Sequence, residues 1–410
     1  MQKIHVKPNN NWMNDPNGFI YYQGAYHLFY QCFPYNARWG RMHWNHVISK
    51  DLVHWENLGI ALFPSKTDDR SGCFSGSAVE EDGKLYLYYT GVNYTVENPE
   101  DINLCLDEQF VSAQMMITSE DGMQFDNIKD KKTVIPVIQN SQIGDARHTR
   151  DPKVWKEEHW DYVNSVSKGE EFGWMWECPD YFEVNGKQII IFSPMGILKD
   201  GKADENQAIC MQVSFDKKNC RMELPDTYQF LDYGLDLYAP QSTVDAQGRR
   251  ILMAWLRMPQ PVDGKWQGMM SIPRVVEVKN GKIYFRVHPN IQNVYTKKID
   301  SPKEASDAGY RLRFSLQDGE EVNVGGYRIF RQGKKICTDR STLYTAFPQF
   351  RTEFATPELA DGFNLEVYVD QNLIEVFVNE GEAVISNAVY QLGNEIKVQG
   401  NVSVAIETLE

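Results

Sequence analysis

Three carboxylates are the residues of this chain whose types and setting could do chemistry: Asp15, Asp151 and Glu177. Asp15 lies in Trp12-Met-Asn-Asp-Pro-Asn-Gly18, Asp151 in Arg150-Asp-Pro152 and Glu177 in Trp176-Glu-Cys-Pro179. Two carboxyl groups flanking a glycosidic bond cleave it. One protonates the leaving oxygen; the other attacks the anomeric carbon or activates water. A third can bind sugar hydroxyls, stabilise an oxocarbenium-like transition state and, by like-charge repulsion, keep a Glu protonated near neutral pH. A single carboxylate at a strand start is usually a turn or cap residue. Three in register, in successive units, point to function.

The elements that must position them repeat. A polar turn, an apolar run, a Gly turn and a second apolar run occur at 15–30, 74–89, 177–192 and 239–255, with a partial copy from Arg150 to Trp155. Each strand–turn–strand unit is half of a four-stranded blade, and five units at such spacing predict a propeller over residues 1–290. Equivalent positions in the blades converge on one end of a central channel. Val47–Trp55 and Met115–Phe125 read as outer strands with a turn between them. The third unit is short. Four strands with turns need roughly 40 residues, yet the interval 151–177 is less than half the other intervals. After Glu158 the chain passes directly to His159–Val163, which reads as an outer strand, so one hairpin is missing. From about 300 to 410 the texture changes to period-two alternation, as in Tyr310–Leu316, Leu365–Val369 and Ile374–Val378. Such strands with hairpin turns predict an antiparallel β-sandwich. The join is not Gly/Ser-rich, so the two domains should pack closely. The fold class expected is all-β.

The formal net charge of −14 argues against nucleic acid or an anionic membrane surface as partner. No apolar stretch reads as a signal or a membrane span. Seven scattered Cys, without metal or disulfide spacing, favour a reducing cytoplasm. His43 and His46 stand three apart, on opposite faces of a strand, and lack an acidic or Cys partner at ligand spacing, so no metal and no cofactor is expected. Among the tryptophans, Trp155, Trp160 and Trp255 read as core, while Trp39, Trp44 and Trp266 sit in polar, Gly-containing segments that suit a sugar cleft. Arg38, Arg41 and His43 are candidates for a phosphate at the cleft rim.

The three motifs resemble those of the retaining β-fructofuranosidases of glycoside hydrolase family 32, the invertase and sucrose-6-phosphate hydrolase group. Phe29-Tyr-Gln31, Trp39-Gly40, His43-Trp44, Phe74-Ser-Gly-Ser77, Tyr238-Ala-Pro-Gln241 and Trp266–Arg274 match the same family in order. The resemblance implies Asp15 as nucleophile, Glu177 as general acid and then base, and Asp151, with Arg150 beside it, as transition-state stabiliser. It also implies a fructosyl pocket lined by Asn14, Gln31, Trp39, Phe74, Ser75 and Trp266. The substrate implied is sucrose, sucrose 6-phosphate or a short fructo-oligosaccharide. The family normally carries a full blade between the second and third motifs, and this chain does not. The alternative is therefore a fructoside-binding propeller, catalytically impaired by its incomplete third blade. Sheet edges on the sandwich would suit a homodimer.

Overall fold

Three hairpins of the N-terminal part turn on two residues: Gln23-Gly24, Asp82-Gly83 and Asn185-Gly186. Both residues of each pair have positive φ, from 47° to 82°. That is the type I′ geometry whose twist matches the flanking strands. The computed structural model describes residues 2–155, 162–199, 202–203, 207–305, 309–360 and 362–409.

Four antiparallel hairpins lead four separate sheets. The first pairs Asn11–Tyr22 with Ala25–Phe33, followed by His43–Ser49 and His54–Leu62. The second runs Gly72–Glu81, Lys84–Tyr94, Phe110–Ser119, Lys132–Ile135. The third runs Met175–Val184, Lys187–Met195, Ile209–Asp216, Arg221–Glu223. The fourth runs Leu237–Val244, Arg250–Leu256, Arg274–Lys279, Lys282–Val287. Within each, sequential strands are neighbours. Trp266–Gln267 returns to pair in parallel with Asn11–Trp12, tying the last sheet to the first.

The outer strands at Val47–Trp55 are as read: one strand ends at Ser49 and the next begins at His54. After Ser119, however, the partner strand is Lys132–Ile135, and Phe125 lies in an intervening loop. Among the described residues, 136–174 contain no strand, only a short 3-10 turn at Glu170–Phe172. Most of the strand read at His159–Val163 lies outside the described residues. The two that are described, Tyr162 and Val163, are exposed and not in a strand.

The C-terminal part stacks two sheets. One has six strands in the order Tyr295–Lys298, Ala405–Leu409, Tyr310–Ser315, Asn364–Asp370, Leu373–Val378, Ala383–Ala388. The other has five: Glu353–Ala355, Lys335–Asp339, Tyr327–Gln332, Glu321–Val324, Ile396–Gln399. Alternation along Leu373–Val378 serves two cores. Ile374, Val376 and Val378 point between the two sheets. Leu373 and Phe377 point the other way, into a cluster with Ile272, Val276 and Phe285 of the N-terminal part.

Glu375, on that second face, is fully buried and bonds Arg274 at 2.7 Å. Arg274 also bonds Asp232 at 2.9 Å, and His5 bridges Asp370 and Glu375 at 3.1 Å each. Burial opposes a charge on His5, but the bonds to these two carboxylates outweigh it and hold its pKa at about 9. Arg340 completes the junction by bonding Asp236 and the Ala388 carbonyl. The two parts thus meet through an apolar layer pinned by buried, oppositely paired charges. No helix among the described residues is long and apolar enough to cross a membrane.

Candidate active site

The inner strand of each sheet breaks its ladder at the same place. Register shifts fall between Met13 and Pro16, Phe74 and Gly76, Glu177 and Asp180, and Tyr238 and Gln241. A β-bulge re-aims the side chains beside it, and here it turns Asp15, Ser75, Glu177 and Tyr238 into one cavity of about 420 Å³. Two bulge residues, Cys178 and Ala239, are left-handed at φ 49° and 50°. Gly76 admits no side chain: a Cβ there would meet the Tyr88 carbonyl oxygen at 1.9 Å.

Among the described residues no strand lies between Ile135 and Met175, so Asp151 reaches the cavity from a loop. Side-chain bonds from the neighbouring sheets hold its segment instead. Gln114 donates to the Thr149 carbonyl at 2.7 Å, and the Asp151 amide donates to Thr90 at 2.9 Å. Ser77 donates to the Pro152 carbonyl at 2.8 Å and accepts from the Val154 amide at 3.0 Å. On the far side Lys153 pairs with Asp180 at 3.1 Å. Asp151 is itself left-handed, at φ 63°.

The three carboxylates converge. Cys178 Sγ lies 3.5 Å from Asp15 Oδ2 and 3.8 Å from Asp151 Oδ2, and the Cys178 amide donates to Asp151 Oδ2 at 3.0 Å. Glu177 accepts from Arg150 Nη2 at 2.7 Å and from the Tyr238 hydroxyl at 2.7 Å. Tyr238 also lies 3.2 Å from the Ser193 carbonyl. Its proton can therefore turn to Ser193 when Glu177 is itself protonated, so one hydroxyl serves both states of the carboxyl group.

Asp15 is oriented by a chain of bonds with one sense. The Trp12 indole, a donor only, bonds Asn14 Oδ1 at 2.8 Å. Asn14 Nδ2 must then donate to Gln31 Oε1 (2.6 Å), Gln31 Nε2 to Ser75 Oγ (2.8 Å), and the Ser75 hydroxyl to Asp15 Oδ2 (2.5 Å).

Burial raises the pKa of Asp15; the Ser75 bond opposes this and the charge of Glu177 adds to it. Burial pushes Asp151 up to about 7 against the pull of Arg150, with Glu177 adding repulsion. Burial also pushes the Cys178 thiol well up, so it is a packed neighbour rather than a nucleophile.

Of the pocket residues expected from sequence, Asn14, Gln31, Trp39, Phe74, Ser75 and Arg150 line the cavity; Trp266 does not. Its ring packs against the interdomain core, under the Lys7 ammonium. Trp44, expected in the cleft, is fully buried and bonds the Phe74 carbonyl. Trp155, expected in the core, is 46% exposed, and Trp255, also expected there, lines the cavity. Trp160 lies outside the described residues. Sequence reasoning did not assign Tyr238, Trp255, His148 or Trp174, which also line the cavity. Tyr238 opens the Tyr-Ala-Pro-Gln match and His148 stands two before Arg150, so position was the available signal for both.

The model of the glycosyl hydrolases family 32 N-terminal domain matches residues 5–160 and 158–289, and that of the family 32 C terminal matches 262–409. The two segments of the N-terminal match meet at residues 158–160. The raffinose invertase of Escherichia coli is 31% identical over 444 residues, covering 94% of this chain and 89% of the relative. The sucrose-6-phosphate hydrolase of Zymomonas mobilis is 35% identical over 463 residues, covering 96% and 86%. The Bombyx mori GH32 beta-fructofuranosidase, solved as a mutant in complex with sucrose, superposes with a TM-score of 0.82 at 26% identity, over 100% of this chain and 93% of that one.

Proposed function

The chain belongs to glycosyl hydrolase family 32, and we propose that it is a retaining hydrolase of terminal β-D-fructofuranosyl bonds, its substrate class being sucrose, sucrose 6-phosphate or short fructo-oligosaccharides. The observation that carries this is the convergence of Asp15, Asp151 and Glu177 on one cavity. Asp15 attacks the anomeric carbon while Glu177 gives its proton to the departing oxygen, and the glycosidic C–O bond breaks. Glu177, now ionised, takes a proton from water, whose oxygen displaces Asp15 from the same carbon. Asp151 accepts from fructosyl hydroxyls and faces the developing positive charge.

We read residues 1–290 as a five-bladed propeller with its third blade cut to 151–177, and 300–410 as a β-sandwich. An impaired, binding-only propeller is not favoured, because Ser77, Thr90 and Gln114 of the second sheet and Asp180 of the third hold the Asp151 segment at the cavity. The cysteines, all seven free, suit a reducing cytoplasm. Fructose release from sucrose tests the reading: Asp15→Asn and Glu177→Gln should each lower kcat by roughly a thousandfold or more, and near-normal turnover in either overturns the assignment.

A further inference from the structure

Resting on the fructosidase reading, we propose that the leaving group is held by His148 and Trp174, in a subsite that takes an uncharged pyranosyl ring and disfavours a phosphorylated one. The acid must touch the departing oxygen, so the leaving group lies on the Glu177 side of the cavity. Arg150 spans that wall: one guanidinium nitrogen bonds Glu177 and the other bonds His148 Nδ1 at 2.8 Å. A guanidinium only donates. His148 Nδ1 therefore accepts, the imidazole is neutral, and Nε2 carries the proton. Burial, and then the Arg150 charge, hold the ring in that neutral state. The ring is clamped edge-on between Phe110 and Trp174, with centroids at 5.8 and 5.2 Å. Its tautomer is fixed and its second nitrogen is a donor suited to a sugar hydroxyl.

Trp174 is 61% exposed although it lines the cavity. It is not loose. It lies on Gly196, where a Cβ would come within 2.5 Å of the indole Cδ1. An exposed, seated indole at the mouth of a sugar cavity is a platform for the apolar face of a pyranose.

Charge sets the preference. The cavity is lined by Asp15, Glu108, Asp151 and Glu177, and among the described residues Arg150 is the one Lys or Arg on it, already bonded to Glu177. Glu108 is near enough to His148 to act on its titration. Of the three expected phosphate ligands, Arg38 and Arg41 bond Asp101 at 2.6 Å and Glu97 at 2.5 Å, Arg41 also bonds the Ile102 carbonyl, and His43 is buried with its Nδ1 on the Arg41 carbonyl. A phosphate monoester brings nearly two negative charges to a net-acidic cleft.

The test compares kcat/KM of the full chain for sucrose, sucrose 6-phosphate and methyl β-D-fructofuranoside, whose leaving group is too small to reach Trp174. Sucrose should exceed sucrose 6-phosphate by roughly tenfold or more. Trp174→Ala should lower the ratio of sucrose to methyl fructoside by roughly fivefold or more, mainly through KM. Sucrose 6-phosphate turned over as well as sucrose, or a ratio unmoved by Trp174→Ala, overturns the proposal. No fructose from any of the three removes the fructosidase reading, and the inference with it.

Discussion

Asp151→Asn should make this protein more stable while removing its activity. Asp151 is buried and its carboxyl is held up at about 7 from an ordinary value of 3.8. For an acid the sign runs one way: between pH 3.8 and 7 the unfolded chain has released this proton and the native state has not. Stability therefore falls as pH rises through that window, and the full penalty stands above pH 7. A gap of about three pKa units at about 1.4 kcal/mol each puts the ceiling on the order of 4 kcal/mol. Asn keeps an acceptor for the Cys178 amide and carries no charge to bury. The assay is thermal unfolding of both proteins at pH 4, 6 and 8. The variant should gain little at pH 4 and most at pH 8, while fructose release from sucrose is lost. A variant that is no more stable at pH 8, or whose gain does not depend on pH, refutes the reasoning.

Ser75→Ala removes the one side-chain hydroxyl bonded to Asp15. It should lower kcat/KM for sucrose by roughly ten- to a hundredfold, the worth of a hydrogen bond to a charged group. Tyr238→Phe leaves Glu177 without its hydroxyl partner and should lower kcat by about tenfold, read in the same assay. Arg274→Met strands Asp232 and Glu375 in the domain junction; denaturant unfolding should show a loss of about 3–5 kcal/mol. His5, held at about 9, contributes stability that is full below its ordinary 6.5 and is lost as pH rises to 9. In His5→Gln, the fall in Tm between pH 6.5 and 9 should flatten.

The catalytic carboxylates were legible because chemistry constrains residue type, and each sits in a distinctive run of Asn, Pro, Cys or Arg. The hairpins were legible because Asp-Gly and Asn-Gly turns admit positive φ cheaply. The bulges were not. Cys178, Ala239 and Asp151 are left-handed without being glycine, and no residue preference announces that. Which tryptophans face the sugar was equally hidden, since Trp44 is buried and Trp255 lines the cavity, the reverse of what their neighbours suggest. Nor did alternation along Leu373–Val378 reveal that its second face meets another domain rather than water. Glu375 on that face is paired with Arg274 and His5 and accepts from the Ile272 amide, all three distant in sequence.

The way the Asp151 segment is secured has an evolutionary consequence. Asp15 and Glu177 stand on innermost strands, Gln31, Met195 and Trp255 on second strands, and the bonds that fix Asp151 come from the flanking sheets. Among the described residues, the outermost strand of each of the four sheets contributes no group to the cavity. A deletion can remove such a strand and leave each reacting atom in place, provided the flanking sheets already grip what remains.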